Sequence, residues 1–302
     1  SYNLVNCLFQ DKEGYIWVGT FNGLNRYDGS RFVVFKSDRN NANTIIHNNI
    51  NDICEAGNGD IWIGSANGVS HYVKSKNLFI NYLLEPRSKD ASRANDVTNI
   101  LCDRRGQIWV TSLGGLYVFQ PAKEAFVAYK NDPANPQSIS SNRIHRNAMV
   151  EDPVKPLLWL GSEKGLNCFD LDKKIFYNYR NNPQKLPVFN EYETFPITFD
   201  RKNRLVFGDY GLVKIVSYSF PDKTISYTDE VISKNDKQSP ASLPAIFFDN
   251  NNNAWACSWN NLVYFQDART GKWERIKYDA ANRTGINSDF FWDAIQAKDG
   301  SI

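Results

Sequence analysis

The chain has 302 residues, 42% of them hydrophobic and 14% aromatic, with 35 Lys and Arg against 33 Asp and Glu. A balance this even lacks the basic footprint of a nucleic-acid binder, and no run of about 18 apolar residues offers a membrane span. The five cysteines, Cys7, Cys54, Cys102, Cys168 and Cys257, include no C-x-x-C pair, so their spacing gives no zinc site and suits small buried hydrophobes better than a disulfide framework.

The chain opens on a strand, "SYNLVNCLFQD", without a signal peptide, so the leader of an exported chain would precede these residues. A polar turn, "DKEG", leads into a second strand around Trp17. After the Gly-containing turn "TFNG" come a third strand, "GLNRYD", and a fourth, "RFVVFK". Apolar runs broken by turns of this kind are hairpin chemistry. The order then returns with "INDICEA", "GNGD" and "GDIWIGSANGVSHYV", with "NILCDRR" and "GQIWVTSLGGLYVFQ", with "PLLWLGSEKGLNCFD", with "NRLVFGDYGLVKIVS", and with "AIFFDNN" and "NNAWACSWNNLVYFQ".

Trp17, Trp62, Trp109, Trp159 and Trp255 occupy one equivalent slot, filled by Val206 in the fifth copy, and the steps between slots are 45, 47, 50, 47 and 49 residues. That period fits one four-stranded propeller blade per repeat. The expected fold is all-β, a single propeller over 1–302, with blades at 4–44, 45–94, 95–138, 139–188, 189–238 and 239–286. "AKDGSI" at 297–302 aligns with "DKEGYI" at 11–16, so residues 287–302 are expected to give the first strand of a seventh blade in a truncated seven-bladed ring. The Trp slots are expected to build the ring by packing against neighbouring blades, and Gly19, Gly64, Gly161 and Gly208 to permit tight backbone approach.

"DKEGYIWVGTFNGLNRYDG" resembles the two-component regulator propeller repeat of periplasmic sensors in hybrid two-component systems, especially those of gut Bacteroides. The segment "NDPANPQSISSNRI" at 131–144 is similar to the phrase that joins blades in those sensors, and 40–50 and 236–244 resemble decayed versions of it. The resemblance implies that this chain is most of the first of two propellers in an inner-membrane protein, tethered through segments that lie elsewhere and dimeric at full length. It implies further that histidine kinase activity and DNA binding reside in other domains. The implied signal is a glycan-derived oligosaccharide, and the implied location is the periplasm.

In such a blade the connections from fourth to first strand share one face with the turns between second and third strands. Those connections are long and chemically rich, and rigid scaffolds usually carry binding on such loops. The face offers Phe21, Asn22, Arg143, His145, Arg146, Glu163, Lys164, Tyr192, Tyr210, Trp259 and Asn260 as contacts for a sugar. No metal or cofactor is expected, because the "DNNNN" run at 249–253 suits a hairpin turn better than calcium. Catalysis is not expected either. Asp28, Asp52, Asp96, Asp152, Glu193 and Asp289 could supply a hydrolytic pair, but no motif dictates the pairing. A propeller-type glycan hydrolase or lyase, or a docking scaffold for the second propeller, is the alternative.

Overall fold

The structure, a computed structural model, describes residues 4–87, 89–190, 193–209, 212–218, 225–231, 245–258, 262–276 and 293–302. The chain divides into two compact units, Ser1–His145 and Arg146–Ile302. In the first unit, β1 (Val5–Gln10), β2 (Ile16–Thr20), β3 (Gly23–Tyr27) and β4 (Phe32–Phe35) form one sheet in chain order. β5 (Ile50–Glu55), β6 (Ile61–Ser65), β7 (Gly68–Val73) and β8 (Leu78–Tyr82) form the next. β9 (Val97–Cys102), β10 (Ile108–Ser112), β11 (Gly115–Gln120) and β12 (Ala125–Tyr129) form the third.

β13 (Ile144–Glu151) opens at the unit boundary and begins a sheet with β14 (Leu157–Ser162), β15 (Gly165–Asp170) and β16 (Ile175–Tyr177). β17 (Ile197–Phe199), β18 (Leu205–Asp209), β19 (Leu212–Tyr218) and β20 (Ile225–Val231) follow, then β21 (Ala245–Phe248), β22 (Ala254–Ser258), β23 (Leu262–Gln266) and β24 (Trp273–Ile276). These are antiparallel four-stranded propeller blades, as the repeat requires. The expected first strand of a seventh blade is not formed among residues 293–302. An inner strand is ladder-bonded only to the second strand of its own blade, as β1 is to β2, and 293–302 contain no such partner. The hairpin turn is nevertheless in place. Ala297 N donates to Ser301 O and Gln296 Nε2 to Gly300 O, matching Asp11 N to Tyr15 O and Gln10 Nε2 to Gly14 O.

The Trp slots are core positions. Trp17, Trp109, Trp159 and Val206 are buried, and Trp255 is half-buried. Three of the rings meet the following blade: Trp17 contacts Tyr72, Trp62 contacts Phe119 and Phe126, and Trp159 shares a cluster with Leu205 and Phe207. Two residues beyond Trp17 and Trp62, the next blade's inner strand comes so close that only glycine fits; the third blade has Thr111 at this position and the sixth Cys257. A Cβ on Gly64 would lie 2.4 Å from Val97 Cγ1.

A carboxylate fixes most of these indoles. Trp17 Nε1 donates to Asp11 Oδ2 at 2.9 Å, Trp109 to Asp103 at 2.8 Å, Trp159 to Asp152 at 3.3 Å and Trp255 to Asp249 at 3.2 Å. The other oxygen takes backbone N–H groups of the hairpin turn, as Asp103 Oδ1 does from Arg105 and Gln107. One buried side chain thus satisfies an indole and the turn together, which matters because unpaired buried donors are costly. In the fifth blade the Val206 side chain has no N–H, and the Arg204 guanidinium donates instead to the second oxygen of Asp200 at 2.6 Å. In the second blade Ala56 stands where the carboxylate would be. There Trp62 stacks on His71 at 4.2 Å, and His71 Nε2 lies 3.0 Å from Asp60 Oδ2.

Asp103→Ala leaves a buried indole N–H and two turn N–H groups without their acceptor, and is expected to cost about 2–4 kcal/mol in urea denaturation. Trp109→Ala should cost about 3–5 kcal/mol by leaving a cavity. A loss below about 0.5 kcal/mol for Asp103→Ala would remove the carboxylate from this role. Asp249 makes the tie pH-dependent: burial would raise its carboxyl, but bonds from Asn253, Trp255 and Asn251 outweigh that and hold it below the usual range. A lowered folded value means stability that is fully present above about pH 4 and lost as pH falls through that value. Asp249→Asn should therefore show a shallower acid-side loss of urea midpoint than the parent, and identical slopes would contradict it.

Candidate functional site

The turns between second and third strands and the linkers between blades meet at one end of each blade. In the first unit Gly23 N donates to Asn48 O and Gly68 N to Asn95 O, both at 2.7 Å. Gly68 needs a φ of +107, which L side chains rarely adopt, and a Cβ there would lie 2.5 Å from Tyr82 O.

The linkers are closed on themselves. In the third, Asn131 N donates to Asn142 Oδ1, Asp132 N to Ser138 Oγ, Ala134 N to Asp132 Oδ1 and Gln137 N to Asn135 Oδ1. The first repeats this bond for bond: Ser37 N to Asn48 Oδ1, Asp38 N to Thr44 Oγ1, Asn40 N to Asp38 Oδ1 and Asn43 N to Asn41 Oδ1. Residues 40–50 are thus the same loop as 131–144 despite their different wording; 236–244 lie outside the described residues. The first loop is also tied down onto the blade it enters. Ile46 N donates to Ser70 Oγ, and Asn81 Nδ2 donates to Thr44 O.

At the inner rim, bulges in β1 and β5 fall at Asn6 and Asn51, and bulges re-aim side chains. The Asn6 amide reaches Ile50 O, that of Asn51 reaches Val97 O, and that of Asn99 reaches His145 O, each at 2.7 Å. Asp52 Oδ2 accepts Ile100 N at 2.8 Å from the adjacent inner strand. Further out, Tyr117 OH donates to Glu85 Oε1 at 2.7 Å; burial, then that bond, pushes its hydroxyl well above the ordinary value.

The expected contact residues fall as follows. Phe21 and Asn22 form the exposed tip of the first blade's turn, with Phe21 38% accessible beside exposed Leu4. Arg143 is exposed where the third linker enters β13, with its backbone N–H on Ser141 Oγ. His145 is half-buried and its carbonyl is held by Asn99. These four belong to the first unit. Arg146, half-buried, and exposed Glu163 and Lys164 belong to the second. Tyr192, Tyr210, Trp259 and Asn260 lie outside the described residues.

Of the carboxylates weighed for catalysis, Asp28 caps its own turn through Ser30 and Arg31, Asp52 holds Ile100, Asp96 accepts the Asn51 amide, and Asp152 holds Trp159. Asp289 is outside the described residues. The Asp249–Asn253 run is a hairpin turn whose carboxylate serves Asn251, Asn253 and Trp255. Among the described residues no three His, Cys, Asp or Glu side chains gather in a group able to hold a metal ion, and no helix is long and apolar enough to cross a membrane. The Asp ties and inner-rim amides are what the sequence reading passed over. The ties are visible as an Asp six residues before Trp17, Trp109 and Trp255.

Residues 1–22 and 44–67, the opening strands and turns of the first two blades, match the two-component regulator propeller family. These two segments are two-component regulator propeller repeats. No curated protein sequence matches it. Among solved structures, it is similar to the extracellular domain of a hybrid two-component system of B. thetaiotaomicron, with TM-score 0.76 and 20% identity over 99% of this chain and 38% of the other. It is also similar to the extracellular domain of a one-component system of the same bacterium, with TM-score 0.69 and 18% identity over 93% and 37%. Virginiamycin B lyase of Staphylococcus aureus follows with TM-score 0.64 and 13% identity over 91% and 84%. At these identities the likeness shows the propeller fold. The chain carrying these repeats spans under two fifths of the length of the two extracellular domains.

Asn99→Ala removes the amide that holds the His145 carbonyl and is expected to lower stability by about 1–3 kcal/mol. Phe21→Ala, at an exposed tip, should stay within about 0.5 kcal/mol. Equal losses in thermal or urea melts would contradict this division between rim and tip.

Proposed function

We propose that this chain is a ligand-sensing part of the extracellular region of a two-component signalling protein, without catalysis of its own. The observation that carries the reading is the pair of matched segments at 1–22 and 44–67, whose repeat is named for two-component regulators. The fold likeness to extracellular domains of such systems supports it. In this reading the chain belongs to the first propeller of a longer periplasmic region anchored in the inner membrane. It comprises six blades and the start of a seventh, and the full-length protein is a dimer.

The proposed ligand is an oligosaccharide released from a glycan, and its consequence is control of genes for polysaccharide use. Phe21 and Arg143 supply on the described face the two kinds of group that sugars need, a flat apolar ring and a planar donor. Tyr192, Tyr210, Trp259 and Asn260, expected from the sequence as further sugar contacts, lie outside the described residues. Ligand would act by favouring one arrangement of this propeller and its neighbour over another, since it shifts an equilibrium only by its differential affinity for the two. Use of Asp28, Asp52, Asp96 and Asp152 as structural acceptors argues against a hydrolytic pair drawn from them.

Calorimetry of the whole extracellular region against a panel of oligosaccharides tests the proposal. One glycan class should bind, with affinity reduced about tenfold or more by Phe21→Ala, Arg143→Ala or Trp259→Ala, each worth roughly 1.4 kcal/mol or more of contact. Unchanged affinity in all three variants, or cleavage of the sugar during titration, would overturn it.

A further inference from the structure

The five cysteines are not equivalent in their surroundings. Cys7 packs in the core between the first two blades, and Cys168 lies in a cluster of the second unit. Cys257 is buried on β22. Cys54 and Cys102 alone share a cluster, the one between the second and third blades that also contains Trp62, Ile100 and Val110. They sit on adjacent inner strands, and the register is fixed two residues earlier, where Asp52 Oδ2 accepts Ile100 N at 2.8 Å. Residue 54 therefore comes beside residue 102, and the backbone N–H of Cys102 points at the Cys54 sulfur.

A sulfur that reaches the amide of a residue is also within reach of that residue's Cβ substituent, because N and Cβ are bonded to the same Cα. The Cys102 thiol is now turned toward Asp103 O at 3.7 Å, so rotation about one side-chain torsion carries it toward Cys54. Solvent access is unequal: Cys54 is buried and Cys102 partly exposed.

We infer that Cys54 and Cys102 form a modification site, an oxidisable pair that closes to a disulfide between the second and third blades in the presence of a small disulfide oxidant. The outer thiol reacts first. The Cys102 thiolate attacks one sulfur of the oxidant, forming a mixed disulfide and expelling the other sulfur as a thiolate. The Cys54 thiolate then attacks the Cys102 sulfur, forming the internal bond and releasing the second thiolate. The two protein thiol protons end on the two released thiolates, so two protein thiols are oxidised and one oxidant disulfide is reduced. Burial, and after it the charge of Asp52, push the Cys54 thiol well up, which makes the second step the slow one.

Oxidised glutathione is the probe. The folded protein is incubated with excess reagent, its remaining thiols are alkylated after unfolding, and non-reduced peptides are mapped by mass spectrometry. The expected course is a transient glutathione adduct on Cys102, followed by a Cys54–Cys102 linked peptide, with Cys7, Cys168 and Cys257 still alkylated. The second step should quicken about tenfold per pH unit between pH 7 and 9, following the thiolate fraction of a group titrating above that range. Cys54→Ser should stop at the Cys102 adduct, and Cys102→Ser should leave Cys54 unmodified. The oxidised protein should melt several degrees above the reduced one, because a cross-link restricts the unfolded chain, and a reductant should abolish the difference. A stable Cys102 adduct with Cys54 still alkylated in the parent protein would overturn the inference, and so would links to another cysteine or no reaction. The readout is independent of any sugar, so its failure leaves the sensing proposal where it stands.

Discussion

The blades depend on a carboxylate placed where the first strand turns into the second. A hairpin in a propeller blade has to bury a large ring on its second strand while leaving the N–H groups of its turn with partners. Asp11, Asp103, Asp152 and Asp249 meet both demands with one side chain, one oxygen on the turn and one on the indole. The departures support the logic. Where the indole is missing, Arg204 fills the free oxygen. Where the carboxylate is missing, the ring finds another polar neighbour through the stacked His71 and Asp60.

Packing between blades follows from the same geometry. In the first two blades the glycine two residues past the Trp lies directly beneath the next inner strand, and Gly64 against Val97 shows how little room remains. The inner strands would otherwise expose unpaired edges, which proteins avoid. Bulged or adjacent asparagines answer this in the first unit by sending an amide to a carbonyl of the following strand. The polar residues nearest the inner rim are thus committed to holding blades together.

The repeat, its period and the order of strands were legible because a bulky aromatic recurs in a fixed slot and turn residues recur at fixed offsets from it. Packing of Trp17 and Trp62 on the following blade followed from the same pattern. The carboxylate ties were equally present in the spacing, but an Asp beginning a polar turn looks like turn chemistry alone until its second oxygen is seen on an indole. The first strand expected within 287–302 is absent over the described residues 293–302 for a different reason. Sequence similarity to "DKEGYI" reports turn propensity, and the turn at Ala297–Ser301 did form, whereas a strand needs a ladder partner that similarity does not supply. At the loop end of the blades the sequence placed Phe21, Asn22 and Arg143 on exposed turns and linkers. It could not show that the linkers satisfy their own backbone groups, because that rests on bonds between residues up to 11 positions apart, such as Asn131 and Asn142.

Self-closed linkers also govern the thermodynamics of anything that lands on them. A loop that folds only around its ligand loses conformational entropy at that moment, and the loss is subtracted from the affinity. Here Asp132, Ser138 and Asn142, like Asp38, Thr44 and Asn48, already hold their loops in shape through side-chain bonds to the backbone. The ordering cost falls on the folding of the chain, before any encounter. A molecule meeting this face finds a rigid relief, and the heat-capacity change of its association would report desolvated surface instead of loop ordering.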